Sequence, residues 1–220
     1  MALLDFLTPL HNSTKRDYLA RVTQHDKAEC AAIACRFDRD YWDGERHVGY
    51  GGYRYDGRWR PVAEAMAAHY GLKPGMRVLD IGCGKGFLLH EFQQVVPGLE
   101  VAGLDISAYG LANAKEEVRP FLTQGTAAKL PYADKSFDLA YSITTFHNLL
   151  NFELRSALQE IERVARGGRH IVVEAYRNER EKVNLMYWQL TCRAFHMPAE
   201  WEWLFQQAGY TGDHSFIYFE

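Results

Sequence analysis

The stretch Val78-Leu79-Asp80-Ile81-Gly82-Cys83-Gly84-Lys85-Gly86 decides the fold. An apolar run, Arg77 to Ile81, reads as a buried strand, and a helix is predicted from about Lys85 to Val96. Three glycines stand where the strand turns into the helix. Without Cβ atoms they let the backbone come close to a ligand held at the helix N-terminus.

Downstream the pattern keeps alternating. A strand is predicted at Val101 to Leu104, a helix near Leu111 to Val118, and strands at Phe121 to Gln124 and Phe137 to Ser142. Leu154, Leu158, Ile161 and Ala165 have helical spacing, and Gly167 with Gly168 is read as the end of that helix. His170 to Ala175 is a fifth strand, followed by helices near Glu181 to Arg193 and from Pro198, and by a last strand at Ser215 to Phe219. This order predicts an α/β, Rossmann-like fold: a mostly parallel twisted sheet with helices on both faces.

Upstream, Ser13 to Phe37 reads as one helix with a ragged apolar stripe. An aromatic, glycine-rich stretch follows, from Tyr41-Trp42-Asp43-Gly44 to Tyr53-Arg54-Tyr55, with no steady period, and is read as loop. Pro61 fits the first turn of a helix that runs to Tyr70 before Gly71. Residues 1–57 are therefore expected to form a helical and aromatic cap, and residues 58–220 one globular core.

Composition narrows the classes. The chain has 220 residues, 47% hydrophobic and 24% charged, with mean hydropathy −0.33, which fits an ordinary globular protein. No run approaches the roughly 20 apolar residues of a membrane span. Asp5 and Pro9 interrupt the apolar N-terminal residues Leu3, Leu4, Phe6 and Leu7, so no signal peptide is expected. Those residues could pack on the chain's own core or on a second subunit. Four scattered cysteines without a CxxC pair suggest neither disulfides nor zinc and fit a reducing cytoplasm. A net charge of −3 disfavours nucleic acid as a partner.

The glycine spacing is Gly-x-Gly-x-Gly. The dinucleotide fingerprint needs a third glycine where Phe87 stands, which argues against a nicotinamide or flavin enzyme. Asp105 ends the second strand, where nucleotide-binding α/β folds put a carboxylate against ribose hydroxyls. Taken singly these features also fit a tight turn and a helix cap.

Together the segments resemble motif I of the class I S-adenosylmethionine-dependent methyltransferases, with Asp105 at their acidic position. The resemblance runs from about Gly71 to Tyr210 and includes Gln124-Gly125-Thr126-Ala127, Leu130-Pro131-Tyr132, Ser136-Phe137-Asp138 and Arg163 to Val173. It implies S-adenosyl-L-methionine as cofactor, with Asp80 and the Gly82, Cys83, Gly84 and Gly86 backbone bordering the methionine part. Asp105 and Ile106 would hold ribose and adenine, Thr126 and Ala127 the adenine edge, and Ser142 would sit by the methionine amine. Thr126 stands where many members have Asp. The family usually closes with an antiparallel hairpin, whereas only one strand follows Tyr210 here.

Methyl transfer from a sulfonium is an in-line displacement, so the protein mainly aligns reactants and excludes water. His147, after strand four, is the leading candidate for a general base, a role balanced by local packing. Tyr53, with Tyr41, Tyr50 and Tyr55, could close over the cofactor or orient an acceptor, or simply pack the cap. His196, Trp201 and Trp203 lie where similar enzymes shape the acceptor pocket. Lys85 is read as a solvated helix-start residue, and no metal ligands are expected. The expected reaction is methylation of a small-molecule O, N or S nucleophile. The alternatives are a protein or nucleic-acid acceptor, or a non-catalytic binding module; the amino-methylating Asn/Asp-Pro-Pro-Tyr/Phe motif is missing, with Ser142 to Asn148 in its place.

Overall fold

The computed structural model describes all residues, Met1 to Glu220. Its centre is a six-stranded sheet in the order β3-β2-β1-β4-β5-β6, built from β1 (Arg77–Ile81), β2 (Glu100–Asp105), β3 (Leu122–Gln124), β4 (Phe137–Ile143), β5 (Ala165–Glu174) and β6 (Asp213–Ile217). Every pairing is parallel. Parallel strands need crossovers, and the crossovers cover both faces of the sheet.

On one face, α8 (Asn151–Val164) and α10 (Pro198–Ala208) bury Leu154, Leu158, Ile161, Trp201 and Phe205 against Leu79, Ile81 and Ala140. On the other, α5 (Arg60–Tyr70) and α6 (Phe87–Val95) bury Val62, Met66, Leu89 and Phe92 against Val78, Val101, Leu139 and Tyr141. Successive β1 residues Val78 and Leu79 thus serve opposite faces, the period-2 logic of a strand buried on both sides. Two short helices complete the downstream half, α7 (Ala108–Ala112), capped by the Ser107 hydroxyl, and α9 (Glu179–Trp188), capped by Asn178.

The N-terminal region differs from its sequence reading. The single helix expected over Ser13 to Phe37 is three short ones: α1 (Thr8–Asn12), α2 (Ala20–Thr23) and α3 (Lys27–Ala34). Asp26 breaks the run, because its carboxylate accepts from the Ala28 and Glu29 N–H groups and so starts α3 afresh. The aromatic stretch read as loop contains a helical turn, α4 (Arg39–Asp43), which Asp38 caps in the same way.

Gly167 and Gly168 do not end a helix. The chain passes from α8 into β5 at Ala165, and both glycines lie inside the strand. A Cβ on Gly167 would run into the Asp138 carbonyl oxygen, and one on Gly168 would lie 2.5 Å from the Tyr70 ring. Glycine is required there for close packing.

The last strand is parallel to β5, with Val172 paired to Ser215, so no antiparallel hairpin closes the sheet. Its outer edge is covered by the N-terminus: Leu4 N–H donates to the His214 carbonyl at 2.9 Å, and His214 N–H to that of Ala2 at 3.0 Å. Leu7 is buried in the core of its own chain, while Leu3 remains exposed. No helix is long and apolar enough to cross a membrane.

Candidate active site

Two adjoining cavities open at the carboxyl ends of the strands, the usual place for ligands in open α/β sheets. The first, about 240 Å³, lies over β1, β2 and the segment after β3. The second, about 370 Å³, lies over the ends of β4, β5 and β6. Tyr41, Tyr50, Tyr53, Trp59, Thr144 and Asn148 line both and form the partition between them.

The floor of the first cavity is the glycine turn. Gly82, Gly84 and Gly86 have φ of +89°, +53° and +69°, the region that L side chains avoid. A Cβ on Gly82 would overlap the Thr145 side chain, and one on Gly84 would lie 2.6 Å from the Trp42 ring. Asp105 straddles this turn. One oxygen accepts the Gly84 N–H at 2.7 Å and the other the Ser107 N–H at 2.8 Å, leaving lone pairs toward the cavity. Burial pushes its carboxyl up, against the lowering effect of those backbone hydrogen bonds.

Asp80 lies behind the turn and is almost fully buried. Burial raises its carboxyl to about 8, although the Tyr141 hydroxyl donates to it at 3.0 Å and opposes the rise. Cys83, Ile106, Thr126 and Ala127 complete this side. Two expected residues are placed differently. Ser142 is fully buried and lines neither cavity, because its hydroxyl is spent on the Ile81 carbonyl at 2.8 Å. Gly86 forms the turn and packs against Val118, outside the cavity wall.

The cap is clamped onto the turn. Lys85 is buried, not solvated: its ammonium meets both Asp43 carboxylate oxygens at 2.7 Å and the Tyr53 carbonyl at 2.9 Å. Trp42 donates its indole N–H to the Ser107 hydroxyl at 2.8 Å and stacks on Tyr50, with centroids 5.4 Å apart. Tyr53 stacks on Phe87 and accepts a hydrogen bond from Trp59. Burial drives the Tyr53 phenol far above its ordinary range, so it stays protonated. Tyr55 lines neither cavity and binds Glu91 at 2.6 Å.

His147 lines only the second cavity. Its Nδ1 accepts the Glu174 backbone N–H at 3.3 Å, which fixes the proton on Nε2, and Nε2 lies 3.4 Å from the Glu174 carboxylate. Burial pushes the ring down to about 3. An imidazole with its one free lone pair occupied and so low a proton affinity is no general base near neutral pH. Beside it on the same cavity wall stands Glu174, the last residue of β5. It is buried, takes a hydrogen bond from Gln189, and is raised by burial to about 8, against the lowering effects of Gln189 and Arg16. Its Oε2 has no hydrogen-bond partner.

His196, Trp201 and Trp203 do not shape this cavity. Trp201 is core and donates to the Glu174 carbonyl at 2.9 Å, Trp203 is exposed, and His196 faces Asn151. The wall is made by Trp188, the last residue of α9, with Gln189 to Thr191 after it, and by Arg16, Arg21 and Arg46 of the cap. Nothing local in the sequence marks these residues. They converge only when the cap docks.

The arrangement defines a class. The chain belongs to the methyltransferase domain family, whose model matches residues 72–209, within the class I S-adenosylmethionine-dependent methyltransferases. Among relatives, it is 38% identical over 111 residues to a sterol 24-C-methyltransferase of Gibberella zeae, covering 47% of this chain and 28% of that enzyme. It is 34% identical over 125 residues to a demethylmenaquinone methyltransferase of Thermus thermophilus, covering 54% of each. The match thus spans about half the length of the one and less than a third of the other. Among solved structures, a chain of the complex between the Haloferax volcanii Trm112 methyltransferase activator and a methyltransferase superposes with a TM-score of 0.58 at 24% identity. That match covers 89% of this chain and 77% of that one and bears on the fold alone.

Proposed function

We propose that the chain transfers a methyl group from S-adenosyl-L-methionine to a small-molecule O, N or S nucleophile held in the second cavity. The carrying observation is the partition: one wall of tyrosines, Trp59, Thr144 and Asn148 stands between an Asp105-lined cavity and a neighbouring one of about 370 Å³. A cavity of that size suits a compact acceptor. The named relatives with sterol and demethylmenaquinone acceptors support the small-molecule reading.

The residues fit the cofactor. Asp105 retains lone pairs for ribose hydroxyls, the Gly82 to Gly86 turn leaves room for close backbone approach, and the buried Asn148 Oδ1 has no hydrogen-bond partner. Thr126 and Ala127 would border the adenine edge, and Asp80 would lie behind the methionine part. When bound, the sulfonium supplies the electrophilic methyl group. The chain's own work is alignment and exclusion of water, which falls to the packed aromatic rings of Trp42, Tyr50 and Tyr53 on the cavity wall. Where the acceptor's nucleophile carries a proton, Glu174 is the residue placed to take it in its ionised form, the minor one near neutrality, with His147 as its positioning residue.

Labelled cofactor incubated with separate small-metabolite, protein and nucleic-acid fractions tests this. Label should enter the small-metabolite fraction. Label confined to macromolecules would overturn the reading.

A further inference from the structure

We infer that the acceptor carries an anionic group, a carboxylate or phosphate, seated on Arg16, Arg21 and Arg46 around Trp188 in the second cavity. This inference rests on the proposed methyl-transfer reading, and it adds a substrate class. Three guanidinium carbons lie 5.5, 5.1 and 5.3 Å from the Trp188 ring centroid. Three cations stacked about one indole repel one another.

None of the three pairs with a carboxylate. Arg16 donates to the Thr14 and His11 carbonyls, Arg21 to those of Trp188 and Arg46, and Arg46 to those of Gly49 and Tyr50. Arg16 also meets the His11 ring at 3.1 Å. These bonds fix the side chains in position and neutralise nothing. Donors remain free: Arg16 Nε is buried and unpartnered, and neither Arg21 Nη2 nor Arg46 Nη2 has a partner. Planar guanidiniums held open in this way suit bidentate recognition of carboxylate or phosphate.

The other titratable groups on the cavity wall do not cancel the charge. His11 is pushed down to about 4 by burial and by Arg16, and His147 lower still, so both are neutral near pH 7. Arg54 adds a further exposed cation, while Arg58 is matched by Asp56. Glu174 is the one acidic residue on the wall, and burial keeps it largely protonated near neutrality. A net positive cavity in a chain of net charge −3 is a local construction.

The test uses the full chain saturated with S-adenosylhomocysteine. Calorimetric titration with benzoate, with inorganic phosphate and with uncharged benzamide should show binding of at least one anion at millimolar concentration or below, and none of benzamide. Arg46→Gln should weaken that binding at least about tenfold, and Trp188→Ala likewise. S-adenosylhomocysteine affinity within about threefold of wild type in each variant would show that the fold is intact.

A second arm follows labelled cofactor into a metabolite extract split on anion-exchange resin. Label should enter the retained fraction. Its removal from that fraction by phosphatase would identify phosphate, and its persistence carboxylate. Intact cofactor binding with neither anion bound and label only in uncharged compounds would overturn the inference while leaving methyl transfer standing. Failure to bind S-adenosylhomocysteine at all would instead strike the underlying reading.

Discussion

The half of the site over β1 to β3 and the half over β4 to β6 are built on opposite plans. The first presents a glycine turn without side chains and two carboxylates, Asp80 within β1 and Asp105 at the end of β2, on strands whose register the sheet fixes. The second presents long side chains from residues 16, 21, 46 and 188, brought together by cap docking and held by bonds to carbonyls. The contrast teaches where each property resides. Rigid strand ends hold what the class shares, and loops carry what is particular to one acceptor.

The largest expected effect breaks the first half. Gly82→Ala places a Cβ within the Thr145 side chain at a φ of +89°, so it should cost about 3 kcal/mol of stability by denaturant unfolding and abolish cofactor binding. A mild loss would show that the turn tolerates more than this geometry allows.

Next comes the link between the halves. Lys85→Met leaves Asp43 without its ammonium, and the side chains are 6% and 26% exposed. With the partial exposure of Asp43 discounted, the loss should be about 2 kcal/mol, with faster hydrogen exchange in Arg39–Asp43. Exchange unchanged in that segment would mean that Trp42 alone seats the cap.

Acid–base behaviour separates the two halves further. The carboxyls of Asp80 and Glu174 are both raised to about 8, so the stability they contribute is full below the ordinary carboxylate range and is lost as pH climbs toward 8. His11, His147 and His170 are depressed to about 4, 3 and 4, so their contribution is lost as pH falls from about 6.5. Thermal unfolding without ligand should therefore be highest near about pH 5–6. Asp80→Asn should flatten the alkaline fall by about 1–2 kcal/mol; an unchanged slope would place the loss elsewhere.

The smallest effect lies at the rim. Tyr55→Phe removes one hydrogen bond to Glu91, which Arg60 still pairs at 2.7 Å, and should cost less than about 1 kcal/mol without changing cofactor affinity.

The same division sets what could be read in the sequence. β1 was legible to the residue, and the start of α10 at Pro198 likewise, because local pattern and turn chemistry dictate them. Gly82 and Gly84 were legible because their strand-turn-helix unit is short and contiguous, and Asp105 from its place at the end of the second strand; Asp80, Thr126 and Ala127 came from the family resemblance, and all six line one cavity. Gly167 and Gly168 misled, since their glycine requirement comes from Asp138 and Tyr70, distant in sequence. Ser142 and His147 were assigned by position after a strand, and neither burial nor tautomer is visible there. The arginine cluster had no sequence signal at all: residues 16 and 188 meet only in three dimensions.

The central claim is that the Asp105 cavity holds S-adenosylmethionine, and calorimetric titration with S-adenosylhomocysteine tests it most directly, beside Asp105→Ala and with NAD as control. Micromolar binding that the substitution weakens about 100-fold, with no NAD binding, is the result predicted. No binding, equal binding by the variant, or preference for NAD would contradict it.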